Sequence, residues 1–149
     1  MTVVALVLGI VLLVALIQAA IWIPLVRRWR RRSRDAWAAF DASLGPDEVV
    51  IIPRQRGWYR GSTGGYSQAR GNAQLVLTSK RLYCCKVTGA VVDLPVERVV
   101  GAHLTKWFQG SRVGGREHLV LELDDHSEIA YFVDNNQEWL DQLRTIRGV

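Results

Sequence analysis

At 149 residues the chain holds one compact domain and one further element. Its net charge of +5 is unevenly spread: residues 27–34 contribute +6, residues 49–92 carry seven basic side chains and no acid, and residues 93–149 hold ten acids against six basic residues. That pattern argues against a uniformly basic nucleic-acid binder and suits an anionic membrane leaflet.

The further element comes first. Val3 to Val26 reads VVALVLGIVLLVALIQAAIWIPLV, without a charge and with Gln18 as its one strongly polar side chain. As a helix it would extend about 36 Å, against a hydrocarbon core of about 30 Å. Pro24 lies near the end, where a spanning helix tolerates a bend. A run apolar on every side argues against a buried helix of a soluble core. A cleaved leader would want a basic start and small residues just before the cut. Met1-Thr2 is uncharged, and cleavage after Ala20 or Ala19 puts Gln18 or Ile17 three positions before the cut, so the residues favour a retained anchor.

RRWRRRSR follows at once, with Arg27, Arg28, Arg30, Arg31, Arg32 and Arg34 in eight positions. Positive charge beside a span stays cytoplasmic. The expectation is a single-pass protein of the plasma (inner) membrane, its N-terminus outside and everything after Arg27 in the cytoplasm. Trp22 and Trp29 bracket the inner boundary, where indoles prefer to sit. The arginines then serve either as an electrostatic tract on the membrane surface or as a plain stop-transfer signal. Sixteen arginines against three lysines hint at a GC-rich bacterial genome.

SRDAWAAFDASLGP reads as a helical linker, with Trp37, Phe40 and Leu44 on one face and Gly45-Pro46 as its stop. It either prolongs the membrane helix or lies along the surface. The expected division is an anchor over 1–26, a basic tract and linker over 27–46, and a domain over 47–149.

From Asp47 the pattern changes to short β-strands. EVVIIP is an apolar run closed by Pro53, and RGWYRGSTGGYSQARGN is an irregular strand with a loop at Gly64-Gly65. AQLVLTSKRLYCCKV predicts two strands meeting near Thr78–Arg81, and Thr88-Gly89 turns the chain into AVVDLPVE. VVGAHLTKWF leads into the glycine-rich loop QGSRVGGRE. In HLVLELDDHSEIAYFV, Leu119, Leu121 and Leu123 alternate with His118, Val120 and Glu122 ahead of a turn at Asp124–Ser127, which predicts a hairpin. Asn135 caps a final helix with Glu138 three positions on, and Trp139, Leu140, Leu143 and Ile146 form its apolar stripe. About seven strands and one amphipathic helix describe a mainly β (α+β) domain: a curled antiparallel sheet, plugged at one open end.

GNAQLVLTSKRLYCCK, then VVDLPVERVVGAHL, a strand pair and a tryptophan-bearing last helix resemble the bacterial PH-like and GRAM-type domains over roughly residues 47–146. Leu77, Thr78, Arg81 and Leu82 match an L-T-x-x-R-L step, Leu94-Pro95 with Val99-Val100 a later L-P step, and Trp139 the closing helix. The resemblance implies a PH-like sheet whose first strand pair and loop carry basic residues that meet lipid phosphates.

Cys84 and Cys85 are the only cysteines. Neighbours on a strand alternate faces, so Tyr83, Cys85 and Val87 share one side and Leu82, Cys84 and Lys86 the other. Two thiols on opposite sides cannot jointly clamp a metal, and an adjacent pair forms a disulfide only with a distorted backbone. They read as strand filling, Cys85 inward with Tyr83 and Val87. His103, His118 and His126 lack ligand spacing, GSTGG and GSRVGG lack the strand-to-helix setting of a phosphate loop, and no nucleophile motif occurs. No metal, cofactor or catalytic chemistry is implied.

The basic residues are the remaining candidates. Arg54, Arg56 and Arg60, supported by Arg70, Lys80 and Lys86, are candidate ligands of an anion or lipid headgroup, because guanidinium groups grip phosphate oxygens with paired donors. Arg54 and Arg56 share one side of a strand, and Trp58 or Tyr59 is placed to enter the headgroup layer. Solvated strand faces are the plainer account of the same residues. Arg81 reads as structural, since it belongs to the fold-defining step. The sequence thus describes a non-catalytic domain at the lipid bilayer that binds anionic headgroups or a protein partner. The alternative is an accessory subunit of a larger membrane complex with no lipid recognition. Exposed strand edges would also permit homo-oligomers.

Overall fold

The computed structural model describes residues 2–112 and 114–148. Helix α1, Thr2–Ser43, is one unbroken rod of 42 residues, about 63 Å long. Its first part is long and apolar enough to cross a membrane, and none of the apolar stretch is buried against the rest of the chain. Its last turns behave differently: Trp37 and Phe40 are buried at 6% and 3% exposure. The linker therefore prolongs the apolar helix. Its aromatic side chains find cover on the sheet, so the helix has no reason to stop before Gly45-Pro46.

Seven strands follow: β1 Val50–Ser62, β2 Gly71–Thr78, β3 Arg81–Lys86, β4 Val91–Pro95, β5 Val99–Thr105, β6 His118–Leu123 and β7 Glu128–Val133, with helix α2, Asn136–Arg147, last. They form one antiparallel sheet in the order β4-β3-β2-β1-β7-β6-β5. β1 is its hinge. It runs through Pro53 where a break is expected, because register shifts between Val50 and Ile52 and between Ile52 and Gln55 take up the residue that cannot donate. A third shift, between Tyr59 and Gly61, bends β1 where it pairs with β7. After β4, Val96–Arg98 makes a short 3-10 turn instead of extending the strand.

The bends curl the sheet around a core of Ile52, Tyr59, Leu75, Leu77, Leu82, Cys84, Leu94, Leu119, Leu121, Leu123 and Tyr131, which Trp139, Leu140 and Leu143 of α2 close. Asn135 Oδ1 accepts from Glu138 N at the start of α2, and Gly148 ends it in the left-handed region. Trp139 Nε1 donates to Gln55 Oε1 at 3.2 Å, which satisfies the one polar atom of the plug. The architecture, a curled seven-stranded antiparallel sheet closed by a C-terminal helix, is consistent with a PH-like fold.

The convex face is covered in two places. Trp37 and Phe40 of α1 lie on Val76, Tyr83 and Cys85. Phe108, from the β5–β6 loop, lies on Val120 and Ala130. This corrects the reading of the cysteines. Cys84, with Leu82, belongs to the core, while Cys85 and Tyr83 point to the convex side and are buried there by α1. Val87 is 54% exposed. Alternation was read correctly, but the helix gives this strand two insides.

Candidate anion-binding cleft

The position of α1 on the sheet is set by residues along its last three turns. Nearest the core, Trp37, Phe40 and Tyr83 pack ring against ring, with centroids 5.6, 5.2 and 4.6 Å apart. Tyr83 Oη donates to the Ala36 carbonyl at 2.9 Å. At the far end Arg81 joins three segments, donating to Glu48 Oε1 at 2.9 Å, Asp93 Oδ2 at 3.0 Å and Ser43 Oγ at 2.6 Å. Towards the apolar end, the β3–β4 turn touches α1 at Gly89. Its φ is +84°, and a Cβ there would stand 2.4 Å from the Arg32 Cβ, so only glycine allows the approach.

Clamped along β3, α1 leaves an open recess between itself and the convex side of β1 and β2. It has a volume of about 930 Å³ and is lined by Arg27, Arg30, Arg31, Arg34, Trp37 and Asp41 of α1 and by Arg54, Gln74, Cys85 and Val87 of the sheet. Helical geometry selects the α1 residues: positions i, i+3, i+4 and i+7 share a face, and Trp37 and Asp41 continue it. Arg28 and Arg32 fall outside this set and line a neighbouring groove on the helix with Pro24, Arg27 and Arg31.

Five guanidinium groups thus face one carboxylate. Arg54 lies over the Trp37 ring, 3.7 Å from its centroid, and its Nη2 is 3.4 Å from Asp41 Oδ1. The buried Trp37 Nε1 has no hydrogen-bond partner among the described residues.

The other candidates divide by surroundings. Arg56 lines a second recess of about 670 Å³ with Trp58, Arg116 and Phe132, and this recess shares Gln74 and Val87 with the first. Arg60 donates to Ser111 Oγ, and Arg70 donates to the Gln109 carbonyl at 2.8 Å, so both tie down the β5–β6 loop. Burial and the neighbouring Arg70 push the Arg60 pKa below its usual value. Lys80 pairs with Asp47 at 3.5 Å, beside Arg81 at the far end. Lys86 is 5% exposed. Its Nζ donates to Ser67 Oγ at 2.9 Å and to the Ala69 carbonyl at 2.6 Å, over the Tyr59 ring, and burial lowers its pKa.

Of the six candidates in the domain, then, Arg54 joins the arginines of α1, Arg56 stands next to them, and the rest lie elsewhere. Tyr59 is in the core, leaving Trp58, 45% exposed, as the aromatic on the open face. Sequence reasoning missed Asp41 and Gln74 as cleft residues and placed Trp37 only on an apolar stripe. For Asp41 the helical period running on from Arg27 was the available signal. For Gln74 there was none short of the strand pairing. Among the described residues no three His, Cys, Asp or Glu side chains come together as metal ligands. Burial pushes the Cys84 thiol up to about 12, which keeps it protonated and inert.

No family model matches the chain, and no curated protein does. Among solved structures, it is similar to the C-terminal domain of an unknown protein from Leishmania infantum, at 10% identity and a TM-score of 0.52, covering 76% of this chain and 92% of that one. It is also similar to the Vps36 N-terminal PH domain, at 17% identity and a TM-score of 0.47, covering 69% of this chain and 81% of that one. At such identities the likeness concerns the fold alone.

Proposed function

We propose that the protein is a membrane-anchored, non-catalytic binding module whose PH-like domain takes anionic lipid headgroups at the cytoplasmic face of the membrane. The observation behind this reading is the placement of the cleft. Arg27 directly follows the apolar run, and Arg34 is about 10 Å further along the helix. Headgroup phosphates lie at that depth when the run spans the bilayer. The positive flank orients the span with the sheet inside. Because the tether already holds the domain at the surface, weak intrinsic affinity is sufficient.

Full-length protein in mild detergent, exposed to equal amounts of phosphatidylglycerol and phosphatidylcholine, should retain the anionic lipid several-fold more in native mass spectrometry. The preference should shrink with added salt and in a variant with Arg27, Arg30, Arg31 and Arg34 all changed to Gln. Equal retention of the two lipids would remove the proposal.

A second reading, an accessory subunit that docks a protein, draws on the recess around Trp58 and Phe132 and on Trp107, 55% exposed. A stoichiometric partner purifying with the protein in mild detergent, lost on Trp58→Ala, supports that reading; a monomer purifying alone counts against it.

A further inference from the structure

The cleft contains an anion of its own. Asp41 supplies the one carboxylate among five guanidinium groups, and it stands against Arg54. Building on the headgroup reading above, we propose that the cleft selects lipids whose headgroup ends in a phosphomonoester, and that this dianion displaces Asp41 from Arg54.

Charge and geometry lead to this class of ligand. The lining carries an excess of four positive charges. A phosphodiester headgroup such as phosphatidylglycerol brings a single negative charge. Exchanging Asp41 for it on Arg54 replaces like with like and gains little. A phosphomonoester carries about −1.5 to −2 charges near neutral pH and three terminal oxygens. It therefore offers more charge than the carboxylate it replaces, and enough acceptors for guanidinium groups arriving from both walls. Asp41 sets the threshold a ligand must pass.

The exchange is easy on the protein's side. Asp41 has a side-chain exposure of 61%, and its contact with Arg54 is a long one at 3.4 Å. Such exposed pairs contribute little to stability. Arg54 keeps its orientation after the carboxylate leaves, because its guanidinium rests on the Trp37 ring.

The test uses full-length protein in a neutral detergent, titrated with short-chain phosphatidic acid, phosphatidylglycerol and phosphatidylcholine and with inorganic phosphate, with bound species counted by native mass spectrometry. Wild type should bind phosphatidic acid about tenfold more tightly than phosphatidylglycerol, and inorganic phosphate at least about tenfold more weakly than phosphatidic acid. Asp41→Asn, a change at an exposed position, should tighten phosphatidylglycerol about fivefold and narrow the preference. Arg54→Gln should remove most of it. Equal affinities for the two lipids, or an Asp41→Asn variant with unchanged phosphatidylglycerol binding, would overturn the selectivity while leaving the headgroup reading intact. Inorganic phosphate binding as tightly as phosphatidic acid would overturn the assignment to a lipid. Failure of every anionic lipid to outbind phosphatidylcholine would remove both proposals.

Discussion

Arg81 and Glu48 are 17% and 6% exposed at the side chain, and their hydrogen bonds join the end of α1, the start of the sheet and β4. Burial works against the charge on Glu48, but hydrogen bonds from Thr78 and Arg81 outweigh it and hold its pKa below the usual carboxylate value. A carboxylate depressed on folding adds stability above its unfolded pKa, and that stability is lost as pH falls through the lower folded value. The domain should thus lose part of its stability below about pH 4.3. Arg81→Gln leaves Glu48 without its main partner and should cost about 2–4 kcal/mol at neutral pH, or a melting temperature lower by roughly 10–20 °C for a domain near 100 residues. Thermal unfolding of both proteins from pH 7 to pH 3 checks this. The variant should start lower and lose less in the acid range. A variant as stable as wild type at pH 7 would show that Arg81 is not the hub assigned to it.

At the scale of elements, the contact between α1 and the sheet gives the cleft its second wall, and the two cysteines report on it. Trp37→Ala removes the largest side chain of the convex cluster and should cost about 3–5 kcal/mol of packing there. The expected result is selective: Cys85 becomes reactive to a maleimide while Cys84, inside the curled sheet, stays protected. Modification of both at equal rates would mean that the helix contact and the sheet unfold together. Gly89→Ala should act on the same contact from the turn. A positive φ and a 2.4 Å approach to Arg32 predict a loss of about 1–3 kcal/mol, seen as faster amide exchange in Ala90 to Val92 but not in β6.

Much of this element-level picture was legible in local pattern. Alternation at Leu119, Leu121 and Leu123 placed the hairpin, and Asn135 with Glu138 placed the start of α2. What escaped were features that depend on partners distant in sequence. Pro53 reads as a strand end unless the bulges that accommodate it are known. Cys85 reads as part of the core because a two-sided strand hides which apolar face meets the helix and which meets the barrel interior. Arg60, Arg70 and Lys86 read as free charges because the loop oxygens that take them, on Ser111, Gln109 and Ala69, follow no spacing rule. Arg54 belongs to the cleft only because a helix ending at Ser43 returns along β3.

For the whole molecule, one continuous helix ties an apolar rod to a small curled sheet and fixes the height of that sheet. Gly89 meets α1 at Arg32, six residues past Val26 and so about 9 Å along the axis. Lys80, beside Asp47, sits at the opposite end of β3. The account accordingly places the cleft and the β3–β4 turn at headgroup depth and the Arg81 cluster away from the lipid. The most direct test is photo-crosslinking of full-length protein in nanodiscs containing phosphatidic acid with a photoreactive headgroup, followed by peptide mapping. The account predicts adducts concentrated in residues 27–41, 54–58, 72–74 and 85–89, several-fold reduced by Arg54→Gln and absent from residues 78–81. Adducts confined to the apolar run, or spread evenly over the domain and unaffected by Arg54→Gln, would contradict it.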